Sequence, residues 1–317
     1  MDQIEKTKTE EQSKVHSNGQ SSKGKRLDVM KTYKLFIDGK FPRTESGRYY
    51  VLNNSEGELL ANICQSSRKD FREAIVAARK AQHGWASKSA YNKGQILYRI
   101  AEMLESRRAQ FIDELISQGY SSASAQAEVN LSVDRLVYYA GWSDKYQQVF
   151  SSVNPVESSH FNFSVPEPTG VVAILSPEEY GLIGIVSALA PAIVGGNTVV
   201  ILASSEKPLT SITFAEVLHS SDVPAGVVNI LTGYRSELLP HFANHMDVNA
   251  VVYCGNNAAE ITSIQELASL NVKRPLIYTE NNWMKEESQN PYRIMDLQEI
   301  KTTWHPIESI GIGGAKY

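Results

Sequence analysis

A chain of 317 residues with 31 Lys and Arg against 35 Asp and Glu carries a formal net charge of −4, which gives no general pull toward polyanions and argues against nucleic acid as a partner. The hydrophobic (42%) and charged (21%) fractions are those of an ordinary soluble globular protein, and no apolar run is long enough to cross a bilayer. Two cysteines, Cys64 and Cys254, make no disulfide framework and suit a reducing cytoplasm; the N-terminus lacks the basic-then-apolar order of a signal peptide.

Residues 1–30 mix Lys, Glu, Ser and Gln with almost no large apolar groups. Such a segment buries too little surface to offset its ordering entropy, so it reads as a disordered tail, with a docking arm as the alternative. Residues 34–63 alternate apolar and polar side chains around Gly39, Asn53, Asn54 and Gly57, the pattern of short antiparallel strands. Ser67 is placed to cap a helix, with Asp70 three residues on completing a capping box. Phe71, Ala74, Ile75, Ala78 and Ala81 then share one face at helical spacing. A second helix is expected over 92–118, ending at Gly119, and a third over about 122–146.

From Gly170 the pattern becomes strand and helix in alternation. Strands are expected over 171–175, 198–202, 227–231, 250–253 and 276–279, each an apolar run without polar alternation, as in strands covered on both faces. Helices near 182–194, 209–219, 237–244 and 258–270 fill the gaps. The fold class is therefore α/β, a doubly wound parallel sheet. Ligands on such a sheet sit at the carboxyl ends of the strands, which singles out Ser176, Pro177, residues 202–205, Gly233, Gly255 and Asn256. No GxGxxG fingerprint is present. His241 and His245 stand four residues apart, a metal-chelating spacing, but no third ligand is evident and solvated histidines are the simpler reading. The adjacent Glu178 and Glu179 offer an acid–base pair or merely a turn that faces water.

The segments EPTGVVAILSP, ALAPAIVGGNTVVI, PLTSITFAEVL and VPAGVVNILTG stand in the order and spacing of the aldehyde dehydrogenases, and the resemblance runs from about residue 33 to 278. It implies a Rossmann-like cofactor domain for 169–280. It further implies an N-terminal strand and helix region with a first oligomerisation ribbon over 31–168, and a linker with a C-terminal oligomerisation strand over 281–317. NAD or NADP is the implied cofactor, with Ser176, Pro177, Gly233, Gly255 and Asn256 as its contacts.

The departures from the family pattern bear on chemistry. The lysine that grips the adenosine ribose aligns with Leu202 and its glutamate partner with Ser205, a loss of roughly a hundredfold or more in dinucleotide affinity. The family's oxyanion-holding asparagine aligns with Glu179; two like charges at about 4 Å and an effective dielectric of about 20 repel by about 4 kcal/mol. The catalytic glutamate aligns with Tyr278, with Glu280 two residues later, and residues 281–297 stand in the place of the domain that carries the nucleophilic cysteine. Cys254 has no His or Lys neighbour in sequence to activate it and reads as a buried thiol.

The run QEIKTTWHPI resembles the family's C-terminal strand, expected to pair with residues 160–168 either to join a neighbouring chain or to close its own sheet. The whole resembles the nucleophile-free second module of the two-module family-16 enzymes. It implies a degenerate subunit that assembles with itself or with a full-length dehydrogenase. Participation in NAD(P)-dependent aldehyde oxidation within a complex, and nucleotide sensing, are the alternatives.

Overall fold

The chain opens with β1 (Thr32–Tyr33), β2 (Tyr49–Asn53) and β3 (Leu59–Cys64), followed by α1 (Arg68–Ala86), α2 (Ala90–Ser106), α3 (Arg108–Ser117), α4 (Ser122–Trp142) and α5 (Tyr146–Phe150). After β4 (Ser152–Asn154) and β5 (His160–Pro168) come β6 (Val171–Leu175), α6 (Ile183–Val194), β7 (Thr198–Leu202), α7 (Leu209–His219), β8 (Val228–Leu231), α8 (Arg235–Asn244), β9 (Ala250–Cys254), α9 (Ala258–Ser269) and β10 (Arg274–Tyr278). A short α10 (Tyr292–Met295) leads to β11 (Gln298–Pro306). This computed structural model describes residues 30–280 and 282–307; the tail expected over 1–30, apart from Met30, and the segment from 308 on lie outside the described residues.

β10-β9-β6-β7-β8 form a parallel sheet in that order, each crossover made by a helix, which is the doubly wound, Rossmann-like arrangement. Alternate side chains along each strand enter different cores. Val172, Ile174, Val199, Ile201 and Val252 pack with α6, α7, α2 and α4. Val171, Ala173, Leu175, Val200 and Val251 pack with α1 and α8, where Phe71 and Phe242 stack with ring centres 4.4 Å apart. So α1, which precedes the sheet in sequence, completes a helix layer on one of its faces. The N-terminal segment also closes the β8 edge, since Phe36 and Ile230 exchange backbone hydrogen bonds of 2.9 and 2.8 Å.

The capping box forms as expected: Ser67 Oγ accepts from Lys69 and Asp70 amides, and Asp70 accepts from the Ser67 amide at 2.7 Å. Two expectations are corrected. The helix expected over 92–118 is two helices, broken where Arg107 leaves helical geometry (φ −105°, ψ 12°) and sends its guanidinium to Gln110 and Glu216. The antiparallel strands expected over 34–63 form as β2 paired with β3; β1, which lies just before that range, joins β3 in parallel. Four strands of the large sheet are buried throughout, whereas β10 is half-buried along its whole length because it is an edge strand bonded only to β9.

A second sheet, β11-β5-β4, is antiparallel; β11 pairs with β5 over nine residues, from Gln298 opposite Pro168 to Pro306 opposite His160. Residues 282–297, between β10 and β11, pack as a strap. Trp283, Ile294 and Leu297 are buried. Arg135 of α4, itself buried, donates to the carbonyls of Trp283 at 2.9 Å and Lys285 at 3.1 Å and to Ser187 Oγ.

Candidate functional site

Parallel pairing of β6 with β9, Leu175 opposite Tyr253, brings the loops after these strands side by side at the carboxyl edge of the sheet. Arg235, the first residue of α8, reaches between them. Its Nε lies 3.0 Å from Glu178 Oε1 and its Nη1 3.4 Å from Glu260 Oε2, while Nη2 donates to the carbonyl oxygens of Ser176 and, at 3.1 Å, Cys254. The guanidinium also lies 5.2 Å from the centre of the Tyr253 ring, and the Tyr253 hydroxyl donates to Glu260 at 2.6 Å. The second carboxylate oxygen of Glu178 accepts from the Ser205 amide at 2.6 Å and from the Ser205 and Ser204 hydroxyls at 3.1 and 3.2 Å. One cation thus ties together β6, α8, β9 and α9, and its side chain is only 12% exposed.

The turn at Glu178 does not simply face water, contrary to the simpler sequence reading; Glu178 is half-buried in this network and only Glu179 is exposed. A cavity of about 310 Å³ remains, lined by Gly255 and Asn256 together with Glu178, Tyr234, Arg235 and Glu260 among others. Ser176, Pro177 and Gly233 do not line it. Ser176 is buried, with its amide on the Leu202 carbonyl at 3.1 Å and its carbonyl on Arg235. Pro177 packs on Gly184, where a Cβ would come within 2.3 Å of its Cγ. Gly233 adopts φ +150° and a Cβ there would meet Leu238 at 3.3 Å and the Ser66 amide at 3.4 Å, so its smallness serves local packing. Asn256 is exposed beside Asn257, whose side chain caps α9.

The dinucleotide that the resemblance implies is not matched by this set of groups. Leu202 is buried in the core instead of offering a ribose clamp, Ser205 is spent on Glu178, and the lining presents Glu178, Glu179 and Glu260 against a single Arg235. A pyrophosphate brought to these strand ends would meet carboxylates before cations.

Both cysteines are buried, and burial pushes the Cys254 thiol up to about 12 in spite of nearby Arg293 and Arg235. Tyr278, which the resemblance sets against the family's catalytic glutamate, and Glu280 two residues later are occupied by the strap: Arg293 lies 3.6 Å from the Tyr278 ring centre and pairs with Glu280, and the Tyr278 hydroxyl donates to Asp296 at 2.9 Å. His241 and His245 gain no third ligand, and among the described residues no group of three or more His, Cys, Asp and Glu side chains is placed to hold a metal.

Sequence reading missed Arg235, Tyr253 and Glu260 as site residues. The only signal was an Arg opening a helix whose N-terminus disfavours cations, which implies nearby anions without saying which.

The Aldehyde dehydrogenase family profile matches residues 41–279. An aldehyde dehydrogenase of Aspergillus niger is 30% identical over 244 residues, 76% of this chain and 48% of that protein. The cytosolic 10-formyltetrahydrofolate dehydrogenase of Mus musculus is 30% identical over 256 residues, 79% of this chain and 28% of that protein. The structure of an NAD-dependent aldehyde dehydrogenase from Sinorhizobium meliloti superposes with a TM-score of 0.75 at 26% identity, covering 81% of this chain and 52% of that one. The chain spans about half the length of two of these relatives and less of the third. With a family profile that matches most of its length and solved family structures that share its fold, the chain belongs to the aldehyde dehydrogenase family.

Proposed function

We propose that this chain is a non-catalytic member of the family, a structural or regulatory subunit that assembles with copies of itself or with a full-length aldehyde dehydrogenase. One observation carries the reading: Arg235, held by Glu178, Glu260 and two strand-end carbonyls, stands in the crevice in which a doubly wound sheet receives its ligand and narrows it. The buried thiols and the strap over Tyr278 and Glu280 support it from the side of the chemistry.

Assembly is supported by the small sheet. Ile300 and Trp304 are exposed on one of its faces, and Phe161 and Val153 on the other. A three-stranded sheet needs an apolar face covered for stability, and these side chains offer a partner such a face. The alternative, a contribution to NAD(P)-dependent aldehyde oxidation within a complex, is favoured only by the place of Gly255 and Asn256, two of the expected cofactor contacts, on the cavity lining.

Thermal unfolding with millimolar NAD or NADP tests the first half of the proposal. No change in Tm is expected, because a ligand stabilises by RT ln(1 + [L]/Kd). A Tm that climbs with cofactor concentration would return the chain to the cofactor-binding members. Light scattering after size exclusion, alone and after co-expression with a full-length dehydrogenase from the same source, tests the second half; a monomer in both experiments removes the subunit reading.

A further inference from the structure

A second cavity, of about 570 Å³, lies between the turn joining α3 to α4, the loop joining β6 to α6 and the start of the strap; Tyr120, Glu128, Glu179, Tyr180, Lys207 and Asn282 are among its lining. It shares only Glu179 with the Arg235 crevice. Glu128 is 1% exposed. One of its oxygens accepts the amides of Leu182 and Ile183 at 2.8 and 3.0 Å, which caps α6, and the other oxygen has no hydrogen-bond partner among the described residues. The neighbouring Tyr120 hydroxyl also bears on the Glu128 carboxyl, but it has a single proton and donates it to the Glu179 carbonyl at 2.9 Å. The lining cation, the Lys207 ammonium, is committed to the Gln118 carbonyl at 2.5 Å and lies 5.5 Å from the Tyr120 ring centre. Burial accordingly pushes the Glu128 carboxyl up. A buried carboxylate oxygen without a donor is costly, and what it lacks is an N–H or O–H from outside the chain.

We infer that this cavity is a binding site for a small organic amine with a flat apolar body. The ammonium donates to the open Glu128 oxygen, and the body packs against the Tyr120 and Tyr180 rings. The site is independent of the reading of the Arg235 crevice, since it uses neither a nucleotide nor a thiol.

Calorimetric titration of the purified chain with benzylamine tests the inference, with benzyl alcohol as the uncharged ligand of the same shape. Glu128→Gln keeps one carbonyl oxygen for the α6 amides and puts an amide nitrogen where the open oxygen was. Benzylamine is expected to bind, and Glu128→Gln to weaken it about tenfold or more, as loss of a charge-assisted hydrogen bond requires. Benzyl alcohol should show a similar deficit against the unaltered chain. Tyr180→Leu leaves the α6 cap untouched and should weaken benzylamine several-fold, which keeps the idea testable if Glu128→Gln folds poorly. Absence of binding, equal affinity for benzyl alcohol, or binding indifferent to both substitutions would overturn it.

Discussion

At the scale of single residues, Arg235 stands where the α8 dipole opposes a positive charge, and two carboxylates and two carbonyls outweigh that opposition. Arg235→Ala leaves Glu178 and Glu260 without their cation. These groups lie between exposed and fully buried, with 22% and 26% of their side chains exposed, so a loss of about 2 kcal/mol is expected, read as a lower urea midpoint. Glu260→Gln should lose less, because the Tyr253 hydroxyl can still donate to an amide oxygen. An unchanged midpoint in both variants would show that water already screens the cluster.

Lys273 makes a separate pH prediction. Burial lowers its ammonium from an ordinary 10.5 to about 8, with the Nζ donating to the His245 carbonyl at 2.6 Å. Between these values the unfolded chain binds more protons than the folded one, so this residue's contribution to stability rises as pH climbs from 8 to 10.5. Lys273→Met should remove that rise, and the difference between the two unfolding curves across this window measures it. Parallel curves would place the ammonium in water.

At the scale of elements, the strap and the small sheet make the sharper claims. Among the described residues Arg135 has no carboxylate within ion-pair distance; its charge rests on the carbonyls of Trp283 and Lys285 and on Ser187. Burial lowers its pKa, yet the guanidinium keeps its proton. Arg135→Met fills most of the space but leaves those carbonyls without a donor, for a loss of about 2 kcal/mol. Cleavage after Lys285 by a lysine-specific protease should then speed up well before the sheet core is cut; unchanged cleavage would mean that Trp283 and Leu297 hold the strap alone. In the small sheet, Ile300→Ser with Trp304→Ser leaves the β11–β5 hydrogen bonds intact and removes two exposed apolar side chains. A smaller species by light scattering is expected, and an unaltered size would move the contact elsewhere.

The same scale shows where sequence reading ends. The capping box at Ser67 and Asp70 is local and was legible, as was the β11–β5 pairing from alternation and resemblance. The break at Arg107 was not, because helical periodicity continues through it and its cause is Glu216, a hundred and nine positions away. Likewise β10 was expected over 276–279 and so without Pro275, whose missing N–H suits an edge strand; strand order then puts β10 at the edge.

For the molecule as a whole, the family, the five parallel strands and the doubly wound arrangement were legible in the order of residues alone. Short unbroken apolar runs mark strands covered on both faces, and apolar spacing of three to four residues marks the helices between them; both are local patterns. The sequence also located the loops at the carboxyl edge where ligands belong. What occupies that edge was decided only by tertiary structure. Glu178, Arg235 and Glu260 come from three separate loops and helices, and become neighbours because β6 lies beside β9. Arg135 and the strap meet in the same way across α4 and α6. A hydrogen bond or ion pair needs its partners within about 3 to 4 Å, and proximity between residues far apart in the chain is a property of the packed fold that no local pattern records.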